Sequence, residues 1–144
     1  MKITPHFSFE ELTESSTAQR LCIDNSLPQE LYSNLQALAW GLEKVRSLLP
    51  IQKSPMRIDS GYRCEELNTA IHGAQGSAHT LAWAADFVCP IAGVPAEIVQ
   101  RISESDMQFD QLIQEGTWVH ISFHPQMRRQ VLTAHFGPGG TTYS

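Results

Sequence analysis

Within the 144 residues, one interval restricts the backbone more than any other: His79 and Asp86 stand seven apart in Ser77-Ala78-His79-Thr80-Leu81-Ala82-Trp83-Ala84-Ala85-Asp86. A second histidine, His120, follows in Thr117-Trp118-Val119-His120-Ile121-Ser122-Phe123. Imidazole and carboxylate are donors that can share one divalent metal, provided each approaches it to about 2 Å. On a continuous helix, residues seven apart share a face but are separated by about 10 Å along the axis. On a straight strand an odd separation sends them to opposite faces. The segment must therefore turn, which predicts His79 on a loop or strand end and Asp86 on a strand of small residues leading into Phe87 and Val88. Around His120, strict alternation sends Val119, Ile121 and Phe123 to a core and turns Trp118, His120 and Ser122 the other way, so a metal would lie on that polar face.

The remaining chain supplies a frame. Phe7-Ser8-Phe9-Glu10-Glu11-Leu12 reads as a helix start, with Ser8 as N-cap, Glu11 closing a capping box and Phe7 stapling to Leu12. Ser15 to Leu27 is polar and irregular, and Pro28 stands where a first helical turn tolerates it. Leu31, Leu35, Leu38, Leu42, Val45 and Leu49 recur at spacings of four and three, marking the apolar face of a long helix that stops before Pro50. Met56 to Ser60 alternates as a short strand and delivers the chain to Ser60-Gly61-Tyr62-Arg63, and Glu65 to Ile71 then forms a helix, so Arg63 sits at a strand-to-helix corner. Pro95 opens a helix with Ile98, Val99 and Ile102 inward. Phe109 to Ile113 and Thr117 to Phe123 read as two strands of a hairpin around Glu115-Gly116, and the tail from Gly137 to Ser144 reads as loosely ordered. Without repeats or linkers, the pattern predicts one α+β domain over residues 1–144, a small, mostly antiparallel sheet flanked by helices with the metal site on the sheet.

Charge and cysteine usage narrow the partners. A net charge of −5 with no Lys/Arg cluster argues against nucleic acid. No apolar run approaches a membrane span, and Met1 to His6 lacks the apolar region of a secretory leader. Cys22, Cys64 and Cys89 cannot all pair and form no Cys-x-x-Cys motif, which points to a reducing compartment and away from a thiolate zinc knuckle. The pattern fixes no oligomeric state.

Ser60-Gly61-Tyr62-Arg63, then Asn68, then Ser77-x-His79-x6-Asp86 and finally Trp118-Val119-His120 resemble the zinc D-Ala-D-Ala carboxypeptidase family, which also contains the L-alanyl-D-glutamate endopeptidases of phage lysins. The resemblance runs from about Phe7 to Phe123. It implies a hedgehog/DD-peptidase-like fold, one Zn2+ held by His79, Asp86 and His120, and hydrolysis of the peptide stem of peptidoglycan, as a D,D-carboxypeptidase or as an L-alanyl-D-glutamate endopeptidase. By the same resemblance Arg63 donates hydrogen bonds to the substrate carbonyl or the developing oxyanion, and Ser77 binds substrate. The missing leader then implies a protein made in the cytoplasm that reaches the cell wall after lysis, through a holin lesion or by an injection machine, as a phage or prophage endolysin would. A cytoplasmic D-Ala-D-Ala dipeptidase fits the same absence.

Two imidazoles and a carboxylate leave a position open on tetrahedral zinc, as a catalytic site requires. Hydrolysis also needs a base. Much of the family places an acidic residue three before the last histidine, where this chain has Thr117. Glu115 is the nearest carboxylate, and Gly116 lets the chain turn it toward the zinc; Asp110 is the second candidate. Ala82 stands where the family prefers glycine, which is tolerable with φ below zero and awkward otherwise. For Arg63 the competing role is a surface ion pair with Asp59, Glu65 or Glu66, while Ser60 and Tyr62 brace the corner. Two other functions share the ligand set. One is an Fe(II) oxygenase, for which His-x-Asp spacing and an all-β jelly roll are expected. The other is a zinc-stabilised muropeptide-binding module that has lost its base, a reading to which Thr117 and Ala82 lend weight.

Overall fold

The computed structural model describes residues 1–51 and 56–144. Two short helices, α1 (Phe9–Thr13) and α2 (Ser16–Arg20), precede a 3-10 turn at Gln29–Leu31 and the long α3 (Tyr32–Leu48). Then come β1 (Arg57–Ser60), α4 (Glu65–Ala70), a 3-10 turn at Ala78–Leu81, β2 (Ala84–Val88) and α5 (Pro95–Ser103). The chain ends in β3 (Gln111–Glu115), β4 (Trp118–Ser122), β5 (Gln130–Gly137) and β6 (Gly140–Tyr143). The six strands form one sheet in the order β1-β2-β4-β3-β5-β6, antiparallel except for the β3–β5 pair. This is the α+β architecture that the sequence pattern predicts.

Local chemistry sets the element ends. Ser8 accepts from the Glu11 amide while Glu11 reaches back to the Ser8 amide, completing the capping box, and Phe7 and Leu12 are both buried. The apolar stripe of α3 places Leu35, Leu38, Leu42 and Val45 in the core, together with Ala39. Helix α5 turns Ile98, Val99 and Ile102 inward and packs against β3 and β4.

Alternation in the strands then separates core from site. Ala85, Phe87, Leu112, Val119 and Ile121 are fully buried on the helix-covered face. Burying a side chain of the Leu, Ile or Phe kind is worth roughly 1.5–3 kcal/mol. A one-residue slip of β2 or β4 would turn these side chains outward and drive Asp86 or His120 into the core, so the hydrophobic pattern itself holds the polar residues on the other face.

Three segments differ from the sequence reading. Ser15 to Leu27, read as irregular, contains α2, capped by the Ser15 side chain on the Ala18 amide. The strand expected at Phe109 to Ile113 runs instead over Gln111–Glu115. The tail expected to be loosely ordered folds back: β6 pairs with β5 from Ala134↔Tyr143 to Gly137↔Gly140, so the glycines of this tail serve a hairpin turn.

Candidate metal centre and catalytic cleft

The turn demanded by the His79–Asp86 interval is built in three steps. Ser77 caps the 3-10 turn by accepting from the His79 amide at 3.2 Å. Ala82 then adopts a left-handed conformation with φ 59° and ψ 28°, its N–H pointing back to the carbonyls of Ala78 and His79. Trp83 also donates to the Ala78 carbonyl, and β2 starts at Ala84. A left-handed residue closing a helical turn is the position that favours glycine, so the family's preference at this site has a backbone cause and Ala82 carries the strain.

Across the sheet, Ser60, Asp86, His120, Ile113 and Leu132 stand level in one row, set by the pairings Ser60↔Asp86, Asp86↔His120, Ile113↔His120 and Ile113↔Leu132. His120 Nδ1 lies 2.9 Å and His79 Nε2 3.3 Å from the same oxygen, Asp86 Oδ1. One donor atom from each of the three residues lies within 4.8 Å of the other two.

The proton inventory of His79 tests whether this cluster suits a metal. Its Nδ1 is 2.7 Å from the Gly61 carbonyl, which can only accept, so Nδ1 carries the hydrogen. Burial lowers the His79 pKa more than the neighbouring Asp86 charge raises it, and the ring is neutral. Its Nε2 therefore presents a lone pair to a carboxylate oxygen, two acceptors facing one another. A cation between them resolves that conflict, and an imidazole whose other nitrogen donates to a backbone carbonyl is the usual form of a metal-binding histidine. Burial alone would raise the Asp86 carboxyl, but the hydrogen bond from His120 acts against it, and Asp86 is held well below the usual carboxylate range. The three residues can coordinate a divalent metal such as Zn2+.

Ser60-Gly61-Tyr62-Arg63 fits around this cluster. A Cβ on Gly61 would lie 2.3 Å from the Leu12 carbonyl oxygen, so only glycine passes there, and its own carbonyl orients His79. The Arg63 amide donates to the His79 carbonyl, which stitches the corner to the turn. The Arg63 side chain is almost buried and donates to Ser60 Oγ at 3.0 Å, Asn68 Oδ1 at 3.2 Å and Asp86 Oδ2 at 3.2 Å. Its ion-pair partner is thus Asp86, 23 positions away, and not the sequence neighbours Asp59, Glu65 or Glu66. Sequence reasoning quoted Asn68 without a role and missed Asn25. The Asn25 amide donates to the carbonyls of Thr13 and Tyr62 and its Oδ1 accepts from the Cys64 amide, pinning the same corner.

Glu115 reaches the site face through the hairpin. Gly116, with φ +69°, heads a two-residue turn that pairs Glu115 with Trp118, and cross-strand partners share a face, so Glu115 stands on the side of His120. Along a single straight strand, a residue five before His120 would face away; on the neighbouring strand it does not. Burial raises the Glu115 pKa, and the Asp86 charge adds to this against the opposing pull of His120 and Arg63. Asp110 differs: both its oxygens are engaged by Arg128, and those bonds hold its pKa down. Ser77, Glu115, Asp110, Arg63 and the metal cluster all line one cleft of about 860 Å³, whose far wall is the β5–β6 hairpin with Leu132, Thr141 and Tyr143.

An open cleft holding two imidazoles, a carboxylate and a further acidic side chain on the polar face of an α+β sheet defines a hydrolytic metalloenzyme site, and the fold is not the jelly roll that the oxygenase alternative expects. The model of the Peptidase M15 family matches residues 5–122, and the chain belongs to that family of zinc peptidases. No curated protein matches the chain.

Proposed function

We propose that this protein hydrolyses the peptide stem of peptidoglycan, as a D,D-carboxypeptidase or as an L-alanyl-D-glutamate endopeptidase of the lysin kind. The observation that carries the proposal is the placement of Glu115 on the face of the His79/Asp86/His120 cluster by the Gly116 hairpin, which supplies the acidic residue that Thr117 cannot. The binding-module alternative draws on Thr117 and on Ala82, and a carboxylate at Glu115 weighs against the first of these.

His79, Asp86 and His120 would hold the zinc. Zinc so held supplies a Lewis acid that polarises a peptide carbonyl and acidifies water. Glu115 takes the proton from the attacking water and delivers it to the leaving amine nitrogen, and a raised pKa suits a group that must both accept and return a proton. Arg63 holds Asp86 by Oδ2, which leaves Oδ1 directed at the two imidazoles. The guanidinium hydrogens left over from its three bonds can donate to the substrate carbonyl. Ser77 fixes the turn that carries His79 and offers its position on the cleft wall to the peptide.

Mass spectrometry of purified peptidoglycan digested by the zinc-loaded protein tests the proposal. Release of D-alanine identifies a carboxypeptidase, and new N-terminal D-glutamyl peptides identify an endopeptidase. Wall material unchanged relative to a Glu115→Gln control would reject both.

A further inference from the structure

Two arginines line the cleft, and no lysine does among the described residues. Each Arg63 nitrogen already donates to Ser60, Asn68 or Asp86. Arg128 is different. Its Nε and Nη2 donate to the two oxygens of Asp110 at 2.8 and 2.9 Å, its own amide donates to Oδ1 at 3.1 Å, and Nη1 makes no hydrogen bond among the described residues. Half of the Arg128 side chain remains exposed, 49% against 4% for Asp110, so a buried carboxylate fixes a guanidinium on the cleft wall with Nη1 still unbonded.

The turn around it is strained, with φ 44° at Met127 and 53° at Arg129, neither a glycine. Such backbone persists where the surrounding structure enforces it, often at ligand sites. Holding the turn to the domain is the work of Arg129, which donates to the carbonyls of Ser103, Ser105 and Met107 and stacks over Phe109 at 4.8 Å. Those contacts anchor the turn that carries Arg128 on the cleft wall.

Position gives the cleft a direction. Leu132 is level with His120 through Ile113, Arg128 lies four residues before Leu132, and Glu115 lies two residues beyond Ile113 on the opposite side. Arg128 is therefore displaced from the level of His120 by at most about 13 Å along the strands and by two strand spacings of about 4.8 Å across them, within the reach of an extended stem peptide of about five residues.

We propose that Arg128 is a specificity-determining residue that binds a carboxylate of the substrate through Nη1, at the end of the cleft away from Glu115. The inference rests on the proposed action on wall stem peptides. These offer two carboxylates of the same chemistry, the α-carboxylate of the D-glutamyl residue and the C-terminal carboxylate.

Three synthetic stem pentapeptides separate the two sources: one with both carboxylates free, one amidated at the D-glutamyl α-carboxylate and one amidated at the C-terminus. Binding is measured by calorimetry on the zinc-loaded Glu115→Gln protein, and turnover on the parent. Arg128→Gln should weaken binding of the free peptide by about tenfold or more and raise KM with kcat nearly unchanged. Because that variant leaves Asp110 buried and unpaired, the double variant Asp110→Asn/Arg128→Gln, checked by thermal melting, must give the same loss. One amidated peptide should bind parent and variants alike, and it names the carboxylate that Arg128 holds. Equal binding of the free peptide by parent and double variant, or the same loss for all three peptides, overturns the role of Arg128 while leaving the wall-peptide function standing. If the protein with Arg128 intact neither binds nor cleaves any of the three, the function falls and the inference with it.

Discussion

Arg63–Asp86 and Arg128–Asp110 line the same cleft and are built in opposite ways. In the first pair both side chains are almost buried, with 12% and 11% exposed, and burial lowers the Arg63 pKa against the pull of Asp86. Asp86 spends one oxygen on the arginine and keeps the other for two imidazoles. In the second pair one arginine takes both oxygens, and the hydrogen bond to Asp110 raises the Arg128 pKa. Asp110 accepts three bonds from Arg128, two from the guanidinium and one from its amide, which leaves it little capacity for a metal or a water proton. A carboxylate shared among several partners is a hub whose geometry fails if any partner leaves. The same two residue types thus serve as a lock in one place and as a ligand support in the other.

The largest effect expected from this contrast falls on the base. Glu115→Gln should keep metal and fold yet lose two to four orders of magnitude in rate, the usual size of general acid–base help, whereas Asp110→Asn should retain most of the activity. An inactive Asp110→Asn beside an active Glu115→Gln in steady-state assays would reverse the assignment of lock and base.

Next is Arg63. The surface ion pair that the sequence offered for Arg63 would make Arg63→Ala harmless to the fold, but the partner is the buried Asp86. Breaking a buried pair by removing one partner typically costs about 3–5 kcal/mol, so the metal-free variant should unfold at clearly lower denaturant concentration and bind zinc more weakly than the parent. Unaltered midpoint and zinc affinity would show that Asp86 needs no support from Arg63.

A smaller, pH-dependent effect belongs to the second pair. The Asp110 pKa is depressed in the folded state, so its contribution is fully present above the unfolded value near pH 4 and is lost as pH falls through the lower folded value. Asp110→Asn should flatten the stability curve only on that acid limb, as followed by denaturant titration between pH 2 and 7. A stability deficit that persists undiminished at pH 2 would point to lost packing instead. The smallest change is expected at Ala82. Ala82→Gly exchanges about 1 kcal/mol of left-handed strain for the loss of a buried methyl worth about 0.8 kcal/mol, so its melting temperature should barely move. Ala82→Val, branched at a left-handed position, should be distinctly less stable.

Much of this architecture is legible in the sequence where one element explains one pattern. The capping box at Ser8, the stripe of α3 and the alternation around His120 each depend on near neighbours, and the required turn between His79 and Asp86 follows from parity and rise alone. What was not legible depends on partners distant in sequence or on weak local signals. Arg63 meets Asp86 because β1 pairs with β2 beyond a register shift between Ile58 and Ser60, and nothing local to Arg63 encodes that. Helix α2 is five residues long and buries only Ala18, too little for a periodic signal. Strand β6 is exposed along its length and is rich in glycine and threonine, so its composition reads as a loose tail until β5 is there to pair with it.

Zinc content after purification and dialysis tests most directly whether residues from the 3-10 turn, β2 and β4 act as one metal site. Close to one zinc per chain is expected in the wild type and nearly none in His79→Ala, because the Nε2 lone pair directed at Asp86 Oδ1 is removed with the ring. Full occupancy in His79→Ala, or a wild type that holds no zinc when it is supplied, would contradict the assignment of His79, Asp86 and His120 as the ligands.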